Sequence, residues 1–376
     1  MTHAPDAERL RRWQAHDASV LPYVRAHRLL GHSKTALTVL LLALAFKTQW
    51  LAGLEKFLAE SFSGFSLYAA FFGTVGAIAV GAGFPFSAGG YAIERHFGLS
   101  RQSVKSWLLD QVKGLVLGAA LGLIVLLFTW WALTSLGDQW WLAFGAFIFF
   151  FSVLLAQLAP VFLIPLFFKM DPLPDGELKQ KLIELSARFG VSVKDVYLLG
   201  LGDKTEKGNA AFMGIGRTKR IVLGDTIYGK YPSEQVLAVF GHELGHLVHA
   251  DIWRGLALST ASLFLSLGLS QWIAETWVLP RAFTWMQTPF GLLLFFVVLT
   301  LVGMPLGVVE KIHSRWRERL ADGFAAEKVS MAAPLADALE TLTLQNRSLF
   351  MPEGWREWLF YSHPAPWRRI TRLRGR

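Results

Sequence analysis

The chain has 376 residues, of which 53% are hydrophobic and only 17% charged, and it carries a formal net charge of +9. Soluble domains contain about 25% charged residues, so this composition excludes an ordinary soluble protein. The absence of cysteine excludes a disulfide framework, a thiol nucleophile and thiolate metal ligands. Because the apolar residues gather in long blocks, we predict a mainly α, polytopic helical membrane protein.

Six apolar segments are long enough to cross a bilayer as helices, which takes about 20 residues each. They lie at residues 35–54, 66–88, 114–136, 140–160, 255–274 and 289–309. We therefore expect a basic arm at 1–34, four membrane helices within 35–168 and two more within 255–309. The third segment carries Gly114, Gly118 and Gly122 at four-residue spacing, which predicts the close approach of another helix.

Lysine and arginine are concentrated in alternate loops. The N-terminal arm, the loop at 89–111, the block at 169–254 and the tail at 310–376 are basic, whereas the intervening loops hold at most one basic residue each. By the positive-inside rule, both termini and both polar blocks face the cytoplasm of what we expect to be a bacterial inner membrane. The positive charge is then explained by basic residues that orient the spans and contact anionic membrane lipids, and no nucleic-acid partner is expected.

The block at 169–254 predicts a small α/β unit. Helical periodicity covers residues 175–189, and strands are predicted at 210–213 and 221–223 on either side of a glycine turn at 214–216. Ser233 is the predicted N-cap of a helix that continues to His246.

That last helix contains the pattern His242-Glu243-Leu244-Gly245-His246. Two histidines four residues apart lie on one helical face, where both imidazoles can reach a single zinc ion. Glu243 is placed to accept a proton from an attacking water and pass it to a leaving amine. The alternative is a helix with two surface histidines.

A third ligand is expected in the other polar block, at 310–376. Glu318 and Asp322 are four residues apart and so share a helical face. This spacing suits Glu318 as the third ligand and Asp322 as the hydrogen-bond acceptor that orients an imidazole. A surface helix with charges paired along its length would show the same spacing. An even number of spans places Glu318 on the same side of the membrane as His242.

Taken together, the motifs resemble the membrane-bound CAAX prenyl endopeptidase family, type I, which are zinc metalloproteases of the gluzincin class. The resemblance runs from about residue 80 to the C-terminus. It rests on Pro85, His96–Ser100, Trp107, Asp110, Lys113, Asn209–Phe212, Lys219–Thr226, His242–His246, Arg315–Asp322, Ser362–Pro364 and Arg369.

The resemblance implies a role for each matching position. His242, His246 and Glu318 would bind one zinc ion, Glu243 would be the catalytic base, and Asp322 would orient a ligand. An edge strand formed by Asn209, Ala210, Ala211 and Phe212 would bind an extended peptide, and His363 and Arg369 would hydrogen-bond the oxyanion or the peptide backbone. The family is drawn with seven spans around a chamber. This chain has six, with the arm at 1–34 in place of the family's first helix.

The predicted function is hydrolysis of a peptide or protein substrate, including lipidated and membrane-associated ones, by a membrane-embedded zinc metalloendopeptidase. A heat-shock-type membrane quality-control protease carries the same motif class, although the loop at His96–Lys113 favours the prenyl endopeptidases. A non-enzymatic scaffold with a metal-stabilised domain would have no need of Glu243, because a structural zinc site has no open position.

Overall fold

A computed structural model describes residues 6–191, 195–214, 220–278 and 285–375 of the chain. In these ranges the α-helices are α1 (Ala7–Lys47), α2 (Trp50–Ala59), α3 (Gly64–His96), α4 (Val104–Ser135), α5 (Trp140–Leu158), α6 (Glu177–Arg188), α7 (Ser233–Val248), α8 (Asp251–Ile273), α9 (Pro289–Glu327), α10 (Ala332–Gln345), α11 (Gly354–Phe360) and α12 (Pro366–Arg374). Short π-helical turns extend α5 to Leu163 and α8 to Val278.

Six helices in the described ranges are long and apolar enough to cross a membrane, namely α1, α3, α4, α8, α9 and the extended α5. Large apolar side chains such as Val116 on α4 and Phe150 on α5 are more than 60% exposed, as expected for surfaces that face lipid. The predicted polytopic helical architecture is confirmed. The segment predicted at 35–54 does not form one helix, because α1 ends at Lys47 and Gln49 adopts a left-handed φ of 55° before α2 begins.

The three glycines of α4 that were predicted to contact another helix do not do so. A Cβ atom built on Gly114, Gly118 or Gly122 would meet no atom within 4 Å among the described residues, so the prediction of close packing there is wrong. The close approach occurs at Gly145 of α5, where a Cβ would lie 2.6 Å from the ring of Phe264 on α8. A side chain larger than hydrogen would separate these two helices.

A four-stranded sheet lies in the polar block between α5 and α7. Its strands are β1 (Met170–Pro172), β2 (Val196–Leu199), β3 (Ala210–Met213) and β4 (Arg220–Gly224), in the spatial order β1-β2-β4-β3. β2 and β4 are parallel, whereas β1 and β3 are antiparallel to their neighbours. In the described part of the chain β3 pairs with β4 alone, which leaves its other edge open. Both predicted strands lie where the sequence indicated; of the predicted turn, only Gly214 is described.

Helix α7 is buried along most of its length between the sheet and α9. Val236, Leu237, Ala238, Val239 and Phe240 all contribute to the core on its successive faces. The helix starts one residue earlier than predicted, because Pro232 occupies the N-cap position and Ser233 is the first helical residue. Its packing fixes the histidines at its C-terminal end.

The N-terminal segment predicted as an arm at 1–34 is helical from Ala7 and docks onto the C-terminal polar block. Trp13 is 1% exposed and stacks on Phe350, with 5.2 Å between the ring centroids. The Asp17 carboxylate accepts hydrogen bonds from the backbone N–H groups of Phe350 and Met351, at 2.7 and 2.9 Å. The first half of α1 is therefore part of the polar domain, and only its second half is apolar enough to enter the membrane.

Candidate metal centre

The two histidines of α7 point to the same place, as their four-residue spacing predicts. His242 is buried, His246 is half-buried, and their Nε2 atoms lie 3.2 Å apart. The two imidazoles face α9, which α7 approaches closely at Gly245. A Cβ on Gly245 would lie 3.1 Å from Cα of Ala321 in α9. The backbones of the two helices are therefore close together beside the cluster.

Helix α9 presents the third group of the cluster. Glu318 is 5% exposed, and its Oε2 and Oε1 atoms lie 3.4 Å from Nε2 of His242 and 3.3 Å from Nε2 of His246. Within the described residues, His242, His246 and Glu318 are the group whose ligand atoms converge closely enough to hold a metal ion. His249 is not a member of it, and its ring lies edge-on to Phe324.

The hydrogen bonds on the far side of each imidazole fix its tautomer. Nδ1 of His242 lies 2.9 Å from a carboxylate oxygen of Asp322, and Nδ1 of His246 lies 2.7 Å from one of Asp251. Each Nδ1 therefore carries the proton and donates it, which leaves the lone pair of each Nε2 directed at the other and at Glu318. Three lone-pair donors facing one another repel unless a cation lies between them.

Three further observations show that these residues fit a zinc ion. Zinc bonds of about 2.0–2.1 Å at tetrahedral angles separate neighbouring ligand atoms by about 3.3 Å, which matches the spacing of this cluster. The Oε2 atom of Glu318 is buried and makes no hydrogen bond of good geometry, although Nη1 of Arg369 and Nε2 of His242 lie 3.2 and 3.4 Å away, so a lone pair remains for a metal ion. Two imidazoles and one carboxylate are also the donor set of many catalytic zinc sites, where a fourth position stays open.

The pKa values of the two histidines also indicate that the cluster favours a positive charge. Burial lowers the pKa of His242, but hydrogen bonds to Asp322 and Glu318 outweigh burial and raise that pKa to about 9. The pKa of His246 is also raised, because its hydrogen bonds to Glu318 and Asp251 outweigh burial. Without a metal ion the cluster therefore holds a proton, and a metal must displace it.

Each orienting carboxylate is itself held by an arginine. Arg317 donates from Nε to Asp251 at 2.6 Å, and Arg369 donates from Nε and Nη2 to Asp322 at 2.9 and 2.6 Å. Asp251 and Arg317 were not among the predicted site residues. Asp251 is five residues beyond His246, an offset that does not repeat on a helix. It reaches the imidazole only because Ala250, at a left-handed φ of 55°, turns the chain between α7 and α8.

Arg369 makes more contacts with the cluster than the sequence suggested. Besides the two bonds to Asp322, its Nη1 lies 3.2 Å from Oε2 of Glu318, so three of its nitrogens face carboxylates. The pKa of this buried guanidinium is raised, since Asp322 and Glu318 outweigh the burial that would lower it. Its position favours a role in holding Asp322 and Glu318 over direct contact with an oxyanion.

His363 approaches the cluster from the C-terminal segment. Its side chain is 61% exposed, with Nε2 3.2 Å from Oε1 of Glu318, and Ser362 Oγ lies 2.8 Å from its Nδ1. An exposed imidazole beside a metal ligand is available to a bound substrate.

Glu243, on α7, lies near β3. Half-buried Glu243 borders a small cavity that is also lined by Ala210 of β3 and by residues of β4. Asn209, just before β3, is exposed, and its backbone oxygen accepts a hydrogen bond from Gly224 at 2.9 Å. The side chains of Ala211 and Phe212 lie outside the described part of the structure. The structure thus places the predicted base next to the predicted peptide-binding strand.

The intramembrane polar residue Gln271 has a structural partner. Its Oε1 accepts a hydrogen bond from the indole N–H of Trp140 at 3.0 Å, and its amide donates to Glu275 at 2.7 Å. Gln271 therefore joins α5 to α8 and lies apart from the metal cluster.

Comparison with known proteins connects this geometry to a family. Residues 172–376 match the family described as Peptidase family M48, and residues 19–169 match the one described as CAAX prenyl protease N-terminal, five membrane helices. The CAAX prenyl protease 1 homolog of Caenorhabditis elegans is 27% identical over 76% of this chain and 71% of that protein. The uncharacterized metalloprotease YhfN of Bacillus subtilis is 28% identical over 75% of this chain and 67% of that protein.

The fold also matches a solved structure, that of S. mikatae Ste24p, with a TM-score of 0.87 and 24% identity. The match covers 96% of this chain and 89% of that one. The resemblance to prenyl endopeptidases that the sequence motifs indicated is confirmed by these matches. Since the M48 match spans more than half of the chain and includes His242, His246 and Glu318, the chain belongs to peptidase family M48 and is a membrane metalloprotease.

Proposed function

We propose that this chain is a zinc metalloendopeptidase of a bacterial inner membrane, with its active centre on the cytoplasmic side. The observation that carries the proposal is the convergence of Nε2 of His242, Nε2 of His246 and the Glu318 carboxylate on one point. Both imidazoles are held with their lone pairs directed at that point by carboxylates at Nδ1. This donor set is the one that catalytic zinc uses.

The proposed mechanism assigns one task to each neighbouring residue. A bound zinc ion supplies Lewis acidity toward the scissile carbonyl and the attacking water. Glu243 accepts the proton of that water and delivers it to the leaving amine. His363 donates a hydrogen bond from Nε2 to the carbonyl oxygen as negative charge develops there. Arg369 positions Asp322 and Glu318.

The substrate is a peptide or protein, and we include lipidated and membrane-associated ones. The open edge of β3 supports the binding of an extended segment by backbone hydrogen bonds, starting at Asn209. Such pairing fixes the register of the substrate relative to Glu243, which lies beside the same strand. The names of the prenyl protease relatives make a prenylated C-terminal peptide the first candidate to test.

The substitution Glu243→Gln tests this function. We expect it to retain zinc and to abolish cleavage of a fluorogenic peptide, since it removes the base and none of the three ligands. Glu234→Gln, an exposed position in the first turn of the same helix, is the matched control and should cleave normally. Glu318→Ala should instead lose zinc in a metal assay. Normal turnover by Glu243→Gln would contradict the assignment.

The inactive variant also identifies substrates. Peptides that remain bound to Glu243→Gln can be recovered and identified by mass spectrometry, which reports whether they carry a prenyl group. Recovery of unmodified peptides alone would remove prenylation from the proposal.

A further inference from the structure

A cavity of about 270 Å³, which we call the α8–α9 cavity, lies between these two helices beside the metal cluster. Its lining includes Asp251, Leu258 and Ser259 from α8, and Glu310, Ser314 and Glu318 from α9. The spacing of each set places its members along one face of their helix. His246 also borders the cavity, which therefore gives access to two of the three proposed metal ligands.

The α8–α9 cavity extends from the cluster toward the membrane spans. Asp251 of α8 is paired with Arg317 of α9, whereas Ser266 of α8 lies beside Gly303 of α9, so the two helices run antiparallel. Glu310 therefore lies at the far end of the cavity, eight residues or about 12 Å of helix before the cluster.

A larger cavity of about 850 Å³ also approaches the cluster, at His363, but its charge is opposite. None of the three proposed ligands is among its lining residues, and among the described residues no carboxylate lines it. Its lining contains five cations, namely Arg28, Lys207, Arg347, Arg356 and Arg369. The α8–α9 cavity is lined instead by three carboxylates, those of Asp251, Glu310 and Glu318, and by one cation, Arg317. Because a cleft lined mainly by one sign of charge focuses its field, the larger cavity repels a metal cation and the α8–α9 cavity attracts it.

Two side chains toward the far end of the α8–α9 cavity have donor atoms available to a cation. Nε2 of His313, which also lines the cavity, is buried without a hydrogen-bond partner. The carboxylate of Glu310 forms no hydrogen bond or ion pair with the residues that the structure describes. The two are three residues apart and so are neighbours on the surface of α9. Imidazole and carboxylate both bind zinc, and such a pair holds it more weakly than the three oriented ligands of the cluster, as required of a site that passes the ion on.

We propose that the α8–α9 cavity is the route by which zinc reaches and leaves the cluster, and that Glu310 and His313 bind the ion transiently at its far end. Ser314 and then Glu318 offer further oxygen atoms along the same face of α9. This inference rests on the proposed zinc centre and not on peptide cleavage. Zinc and a peptide in the larger cavity then approach the cluster through different openings.

The rates of zinc uptake and release test the proposal with the full-length protein. Uptake is measured by mixing the zinc-free protein with zinc, and release by mixing the zinc-loaded protein with excess chelator. We expect Glu310→Gln/His313→Gln to slow both about tenfold, at the lower end of the range over which a charged cleft changes association rates. The equilibrium affinity should stay the same, because groups that bind the ion only on its way lower the barrier in both directions. Glu184→Gln, which removes an exposed carboxylate of α6 outside the cavity, is the control and should leave both rates unchanged.

A larger side chain in the cavity tests the route independently of charge. Leu258 is a half-buried lining residue, and Leu258→Trp should slow uptake and release by the same factor because the indole fills part of the passage. Leu265→Trp, at a position of α8 that is 57% exposed and outside the cavity lining, is the matched control. Should Leu258→Trp fail to fold, Ser259→Phe makes the same test from an exposed position of the lining.

Slower uptake and release with unchanged affinity, in the double variant and in Leu258→Trp but in neither control, would support the route. Unchanged rates in both would overturn it. Loss of affinity through faster release alone would also overturn it, because these residues would then stabilise the bound ion instead of guiding it. A wild-type protein that binds no zinc would contradict the zinc centre and the route together. Zinc exchange as expected, without any peptide cleavage by the wild type, would support the route and count against the proposed peptidase function.

Discussion

At the scale of single residues, the cluster is held by two matched chains of hydrogen bonds. Arg369 holds Asp322, which holds His242, and Arg317 holds Asp251, which holds His246. The side chain of Asp322 is 1% exposed and that of Asp251 is 11% exposed, and each is bound by a guanidinium that compensates its charge. Such outer partners orient the imidazole and raise its basicity, and their loss typically lowers metal affinity by about 10- to 100-fold.

Asp251→Asn tests the chain that leads to His246. We expect zinc affinity to fall by about 10- to 100-fold, because the amide can still accept from Nδ1 but carries no charge to strengthen His246 as a ligand. Asparagine keeps a polar partner for Arg317, which an alanine would leave buried and unpaired. Zinc affinity is measured by competition with a chromophoric chelator.

Asp175→Asn, at an almost fully exposed carboxylate, is the control and should bind zinc as the wild type does. Unchanged zinc affinity in Asp251→Asn would show that Asp251 does not tune the site.

The residues that the sequence could indicate are those whose spacing reflects helical geometry. His242 and His246 share a face of α7, and Glu318 and Asp322 share a face of α9, as their four-residue offsets predict. Asp251 could not be found in this way, since its contact with His246 depends on the turn at Ala250. The engagement of Arg369 by two carboxylates likewise depends on how α12 packs against α9, which no local pattern encodes.

At the scale of secondary structure elements, the centre depends on how closely α7 and α9 approach each other. Gly245 lies between the proposed ligand His242 and the turn at Ala250, and its backbone faces Ala321 of α9, one turn beyond Glu318. The neighbouring atoms would be 3.1 Å from an added Cβ, and two of the three nearest belong to the α9 backbone, which cannot rotate away. Cores resist such added volume at a cost of about 1–3 kcal/mol.

Gly245→Ala should therefore move α7 away from α9 by a few tenths of an ångström and weaken zinc binding, although alanine favours the helix. Gly245→Leu should lose the site altogether. Gly255→Ala in α8 is the matched control, because a Cβ there meets no atom within 4 Å, and it should be neutral or slightly stabilising. Thermal unfolding in detergent and zinc content check both effects. Full zinc occupancy in Gly245→Leu would contradict this account of the contact.

The contacts of α1 could not be predicted from hydropathy alone. The apolar half of α1 could be predicted, whereas the basic residues before it suggested only an arm that contacts lipid. In the structure that segment is a helix held by Phe350, Met351 and Glu353, more than 300 residues away in sequence. Contacts of this range depend on the whole fold, so they cannot be derived from the composition of the segment itself.

At the scale of the whole molecule, α9 connects the membrane to the catalytic centre. Its first half is an apolar candidate span, and its second half carries Glu318 and Asp322 into the polar domain. Because His242 and Glu318 lie within contact distance, the blocks that contain them must be on the same side of the membrane. Two spans, α8 and α9, lie between these blocks, in agreement with that requirement, whereas one span, α5, separates the loop at Asp138 from the sheet.

This arrangement predicts the sidedness of three exposed positions. The chain contains no cysteine, so Asp138→Cys, Glu184→Cys and Lys328→Cys each introduce one thiol without background. By the charge of the loops, we expect a membrane-impermeant maleimide to label position 138 in intact cells. Positions 184 and 328 should react only after the cytoplasmic side has been opened, for example in inverted vesicles. Labelling of 138 and 184 from the same side would contradict a crossing by α5, and labelling of 184 and 328 from opposite sides would separate His242 from Glu318. A third outcome is labelling of positions 184 and 328 in intact cells and of position 138 only in inverted vesicles. It would support the same spans, but the active centre would then not face the cytoplasm.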